Sequence, residues 1–113
     1  MTDHITIRTS PGKWVVRAGG AVLGESSAAL ELSEGDMPSV IYFPREDLAM
    51  AMLEPSPTRT TCPHKGEAVY FSIPTKSTVI TDAAWSYEAP KDAVDRIKSY
   101  VAFYPDKVTV EQL

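Results

Sequence analysis

Ala68-Val69-Tyr70-Phe71-Ser72-Ile73 and Thr78-Val79-Ile80-Thr81-Asp82-Ala83-Ala84-Trp85-Ser86-Tyr87 are the stretches on which the fold turns. In the first, Val69, Phe71 and Ile73 alternate with Ala68, Tyr70 and Ser72. In the second, Val79, Thr81, Ala83, Trp85 and Tyr87 alternate with Ile80, Asp82, Ala84 and Ser86. A period of two residues places successive side chains on opposite faces, which is the signature of a strand. Thr75-Lys76-Ser77 between the two runs reads as the turn of a hairpin.

Upstream of this hairpin the same grammar recurs. Ile5 and Ile7, then Trp14-Val15-Val16, then Ala21-Val22-Leu23 are short β-prone runs separated by Ser10-Pro11-Gly12 and Gly19-Gly20. Two glycines in a row suit a two-residue hairpin loop, because both can take positive φ. Trp14 to Arg17 and Val22 to Glu25 therefore read as an antiparallel pair. Leu30 and Leu32 alternate with Glu31 and Ser33 in a further half-buried strand that Glu34-Gly35-Asp36 ends. Val40-Ile41-Tyr42-Phe43 is another strand, stopped by Pro44, and Lys107 to Val110 is a last one.

Two windows change composition. Residues 45–53 follow Pro44 with Glu46 and Asp47 near the start, and Leu48, Ala51 and Met52 at helical spacing. Residues 90–99 open on Pro90, carry Asp92 early and Lys98 late, and offer Val94, Ile97 and Val101 as a buried stripe. Both windows are predicted to be short helices, the first ended by Pro55 and Pro57. Met50 and Met52 read as core filler. The whole is a mainly β (α+β) chain read as one domain over residues 1–113, with no internal repeat and no linker.

Composition narrows the function classes. The formal charge of −4 comes from 15 acidic against 11 basic residues, with the basic ones scattered singly rather than gathered against phosphates, so nucleic acid is not an expected partner. The start, Met1-Thr2-Asp3-His4-Ile5, lacks the basic and apolar runs of a secretion signal, and no apolar stretch approaches the roughly 20 residues of a membrane helix. A soluble cytoplasmic protein without a membrane partner is the expectation, and one cysteine in the chain agrees with a reducing compartment.

The densest chemistry is Thr60-Thr61-Cys62-Pro63-His64-Lys65-Gly66, which holds the one cysteine and one of the two histidines. Cys62 reads either as a nucleophile or redox group activated by Lys65 and His64, or as a small buried residue at a strand end with Pro63 and Gly66 serving the turn. Zinc is not expected, since Cys62 and His64 lack further ligands at C-x-x-C or H-x-x-x-H spacing, and no cofactor is implied. Asp82 shares a strand face with Ile80 and Ala84, where a carboxylate needs a partner, and Lys65 or Arg17 would serve. Trp14, Tyr70, Trp85 and Tyr87 are either core residues or the aromatic walls of a pocket, with Ala83-Ala84 leaving room beside Trp85.

Several of these segments, in this order, resemble the domain-of-unknown-function family 427: Trp14-Val15-Val16-Arg17, Tyr42-Phe43-Pro44, Ser56 with Thr60, Cys62-Pro63-His64-Lys65-Gly66, Tyr70, Asp82-Ala83-Ala84-Trp85-Ser86-Tyr87 and Val101-Ala102-Phe103-Tyr104. The resemblance covers nearly the whole chain. It implies a small bacterial and fungal domain of two antiparallel sheets, in a compact tent-like sandwich or partial barrel, with no established activity. The family has carried a nucleotidyltransferase heading, but that chemistry needs a Gly-Ser phosphate loop and paired acidic metal ligands. This chain has no Gly-Ser dipeptide, and Glu34-Gly35-Asp36 reads as a solvated turn.

Three function classes follow. One is a binding module holding a small polar or cationic ligand in an aromatic-lined pocket, where Trp14, Arg17, Tyr70, Trp85 and Tyr87 bind, Gly66 lets the backbone pass close, and Lys65 or Asp82 orients the ligand. The second is an enzyme whose catalytic residues are Cys62, Lys65 and Asp82, tuned by His64. The third is a structural or protein-interaction domain. Homo-oligomerisation is left open by the sequence. Consecutive strands are usually neighbours, so Lys65 and Asp82 are expected to approach across one pocket.

Overall fold

The computed structural model describes residues 4–113. Met1 to Asp3, part of the stretch read for a secretion signal, lie outside the described residues. Ten strands run β1 (Ile5–Thr9), β2 (Trp14–Ala18), β3 (Ala21–Ser26), β4 (Leu30–Glu34), β5 (Val40–Phe43), β6 (Glu54–Cys62), β7 (Gly66–Pro74), β8 (Val79–Ser86), β9 (Val101–Phe103) and β10 (Thr109–Gln112). They form two antiparallel sheets. One has seven strands in the order β1-β4-β5-β9-β8-β7-β6, and the other has three in the order β10-β2-β3.

The hairpins read from local signals are present. β2 and β3 pair across Gly19 and Gly20, whose φ values of 57° and 81° are the positive angles that such a loop requires. β7 and β8 pair as expected, and β6 joins them across the Pro63–Lys65 turn. Pro55 and Pro57 sit inside β6 rather than ending a helix. β6 is the last strand of its sheet, where a residue without an N–H is tolerated.

The large sheet carries a core on each face, because alternate residues of its central strands fall into different clusters. Phe43, Val101, Phe103, Phe71 and Ala84 pack with Val16, Ala18 and Leu23 of the small sheet. Tyr42, Ala102, Ala68 and Trp85 pack instead with Leu30, Leu32, Val94 and Ile97.

Neither expected α-helix forms. Residues 45–53 contain two single 3₁₀ turns, Arg45–Asp47 and Met50–Met52, separated by an extended Leu48 at φ −115° and ψ 148°. Leu48 bridges Gly24, and the Ala49 N–H donates to the Leu23 carbonyl at 2.7 Å, so this segment extends the edge of the small sheet. A nine-residue helix is marginal by itself, and pairing with β3 wins. Leu48 and Leu53 are buried, while Ala51 and Met52 of the expected apolar face are exposed.

The second window holds a 3₁₀ segment, Asp92–Ile97, interrupted at Val94. Val94 and Ile97 are buried as the spacing suggests, but Val101 is in β9 at the centre of the large sheet. Ser99, at φ 65°, reverses the chain before it. The Ser99 N–H donates to the Tyr87 carbonyl at 2.9 Å, and Arg45 Nε donates to the Ser99 carbonyl at 2.7 Å.

The strict alternation of β8 also breaks. Phe71 pairs with Ala84 and Ile73 with Ile80, so a short step along β7 matches a longer one along β8. The excess is a bulge around Asp82, at φ 51°, whose N–H donates to Ser72 Oγ at 3.0 Å. Ala83 and Ala84 consequently both enter the core between the sheets. Among the described residues no helix is long and apolar enough to cross a membrane.

Candidate functional site

Two adjoining cavities open on the central strands. One, of about 410 Å³, takes Trp14 and Val110 from the small sheet and Ile41, Trp85 and Phe103 from the large one. The other, of about 290 Å³, is lined by Glu34, Lys65, Tyr70, Tyr42 and Tyr87. Met37, Pro38, Val40, Trp85 and Tyr104 line both, so Trp85 and Tyr104 form a shared wall. Their rings lie 4.4 Å apart between centroids.

Strand periodicity explains the wall. Tyr70 and Trp85 are register partners on β7 and β8, and Trp85 in turn faces Ala102 of β9. The two small residues Ala68 and Ala102 leave the aromatic side chains room on this face. Trp85 Nε1 donates to the Tyr42 hydroxyl at 3.4 Å, and the hydroxyls of Tyr70 and Thr60 lie 2.8 Å apart. Burial pushes the Tyr42 and Tyr87 phenols well above their usual range. Burial, and then neighbouring Tyr70, pushes Tyr104 up to about 12. The wall is therefore protonated at neutral pH and presents flat faces and hydroxyls rather than a base.

The smaller cavity has one charged feature. Lys65 is buried, and its Nζ donates to Glu34 Oε1 at 2.6 Å. The Lys65 hydrogen bond is the main reason that the Glu34 carboxyl is held below its usual range; burial opposes it, and the charge of Lys65 and contact with His4 add to it. A lowered carboxylate contributes stability that is fully present above its unfolded value and is lost as pH falls through its folded one. Stability of the wild type should thus decline as pH falls below the ordinary value of 4.5. In Glu34→Gln that acid slope should be shallower. Urea midpoints between pH 6 and pH 3 measure it, and equal slopes would remove Glu34 from the pH response.

Of the residues expected to form a site, Trp14, Lys65, Tyr70, Trp85 and Tyr87 line these cavities. The others lie elsewhere. Arg17 is on the exposed side of β2 and pairs with Glu111. Gly66, at φ 112°, packs against the loop at Ala89, whose carbonyl would stand 3.4 Å from an added Cβ, so its close approach is to backbone. Cys62 is a partly buried free thiol at the end of β6. Lys65 Nζ turns to Glu34, and the His64 ring meets the edge of His4 with centroids 4.8 Å apart.

Asp82 is set in the bulge and lines neither cavity. The anticipated approach of Lys65 to Asp82 is replaced by the Lys65–Glu34 pair. Thr58 Oγ1 donates to Asp82 Oδ2 at 2.7 Å. The neighbouring Ser56 hydroxyl first, and Thr58 second, hold its carboxyl below the usual range. Oδ1 is buried outside hydrogen-bond geometry.

Sequence reading missed Glu34, Tyr42, Met37 and Tyr104. Glu34 looked like the start of a solvated turn, and only the β1–β4 pairing and the β6–β7 turn bring it to Lys65. It also stands with two histidines: ligand atoms of His4, Glu34 and His64 all lie within 4.8 Å of one another. No curated protein matches this chain. A family model described as a domain of unknown function, DUF427, matches residues 6–112, and the chain belongs to that family.

Proposed function

We propose that this member of the family is a binding domain for a small molecule with a flat apolar body and a polar head. The observation that carries the reading is the continuity of the two cavities across Trp85 and Tyr104, with an apolar end at Trp14, Phe103 and Val110 and a polar end at Lys65, Glu34 and Tyr70. Ligand sites commonly combine aromatic walls with a few convergent polar groups. A purely cationic ligand fits less well, because the Glu34 carboxylate already holds the Lys65 ammonium. The pair offers a donor and an acceptor together, which suits a neutral polar or zwitterionic head. We place this activity in a soluble cytoplasmic protein, on the sequence grounds given above, with neither nucleic acid nor membrane as partner.

The enzyme reading has less support, since Lys65 and His64, the neighbours that would activate Cys62, are turned to other partners. Cys62→Ser should accordingly leave ligand binding unchanged.

Both tryptophans of the chain, Trp14 and Trp85, line the cavity walls. A metabolite library screened by thermal shift and by intrinsic fluorescence should therefore yield compounds that do both, raise the melting temperature and alter tryptophan emission. Lys65→Met should weaken polar-headed hits more than apolar analogues. Hits that stabilise the protein without changing emission, or that bind Lys65→Met equally well, would count against this cavity as the site.

A further inference from the structure

We propose that His4, Glu34 and His64 bind one divalent transition-metal ion, with zinc as the fitting class, at the rim of the large sheet beside the Lys65–Glu34 pair. The three side chains come from the residue before β1, the end of β4 and the β6–β7 turn, and their ligand atoms lie within 4.8 Å of one another. Backbone structure holds two of them together: Ile5 is the register partner of Glu34, and the Gly35 N–H donates to the His4 carbonyl at 3.0 Å. His64 is delivered by the tight turn in which the Lys65 N–H donates to the Cys62 carbonyl at 3.3 Å.

Two imidazoles and a carboxylate are a donor set that zinc takes, with nitrogen and oxygen ligands at about 2.0–2.2 Å and a fourth position left for water. Ligands around a tetrahedral ion stand ~3.4 Å apart, so closing on one needs side-chain movement of only ~1–1.5 Å. His4 is exposed. Glu34 divides its two oxygens. Oε1 accepts from Lys65 at 2.6 Å, while Oε2 faces His4 Nε2 at 3.4 Å. The ion takes Oε2, while the Lys65 ammonium stays on Oε1, where its positive charge opposes that of the ion and draws off part of the carboxylate's.

Ligand spacing along the sequence gave no hint of this site, because successive residues of the set are 30 positions apart and belong to three different turns or strand ends. The site shares Glu34 with the polar end of the neighbouring cavity, so zinc uptake is measured with no small molecule present and its outcome does not depend on that cavity binding one.

The test is calorimetric titration of tag-free, chelator-treated full-length protein with zinc sulfate, with melting curves showing that each variant is folded. Wild type should take up one zinc per chain. His4→Ala and His64→Ala should each weaken uptake by at least about tenfold, since each removes one of the three protein ligands. Cys62→Ser should not alter it. Lys65→Met should tighten uptake, because it releases the full charge of Glu34, and this sign separates the site from adventitious surface histidines. Absence of saturable uptake, uptake that survives His64→Ala, or unchanged affinity in Lys65→Met would each overturn the three-ligand site. If His64→Ala does not fold, His64→Gln, which keeps a polar side chain in the turn, must show the same loss.

Discussion

Phe43→Ala should cost the protein roughly 3–5 kcal/mol, the range for emptying a buried aromatic position. Phe43 is fully buried on β5, the third strand of the large sheet, and its ring meets Phe103 edge-on with centroids 5.8 Å apart. It belongs to the cluster that joins the large sheet to Val16, Ala18 and Leu23 of the small one. A void there would lie between two sheets that are each held by their own ladders, so neither can collapse freely into it. For a chain of this size the loss corresponds to a fall in melting temperature on the order of 15–30 °C. Phe43→Leu, which restores most of the volume, should cost under about 1.5 kcal/mol. Urea denaturation of both variants measures the difference. A loss below about 1 kcal/mol for Phe43→Ala would mean that the two sheets do not share a packed core.

Legibility in the sequence follows the range of the interaction. The β2–β3 hairpin announces itself through two adjacent glycines, and β7 and β8 through aromatic and branched residues at every second position; both are local signals. The positions of Tyr70 and Trp85 in one wall follow from the same pairing. By contrast, residues 45–53 and 90–99 carry helical spacing over too few residues to form a helix against tertiary competition. Leu48 is claimed by Gly24, and Val101 by the gap between β5 and β8. The order β1-β4-β5-β9-β8-β7-β6 inserts a late strand between early and middle ones, and no local period encodes that choice. Glu34, His4 and Tyr104 reach the site only through it. Their residue types were visible, but the pairing that makes them neighbours was not.

Asp82 shows how a conspicuous residue can serve the scaffold beside a site. It lies three residues before Trp85 on the same strand, yet its backbone at φ 51° makes the bulge that turns Ala83 and Ala84 into the core. A β-branched residue is strongly disfavoured in that left-handed region, at a cost of about 1–3 kcal/mol. Hydrogen bonds to a charged group are each worth about 1.5–3 kcal/mol, and Thr58 Oγ1 donates one to Asp82 Oδ2. Asp82→Val incurs the backbone cost and loses the hydrogen bond, so it should destabilise by roughly 2.5–6 kcal/mol. Asp82→Gly keeps the backbone angle accessible and loses only the hydrogen bonding, so it should fall between wild type and Asp82→Val. Asp82→Asn, which tolerates the same backbone region and still offers an oxygen to Thr58, should be the mildest of the three. Denaturation midpoints in that order would assign Asp82 to the bulge. Because it lines neither cavity at Trp85, each variant that remains folded should bind the same screened compounds with unchanged tryptophan emission. If Asp82→Asn instead abolishes binding while leaving the midpoint untouched, Asp82 contacts the ligand, and the polar end of the pocket must be redrawn to include β6 and the bulge.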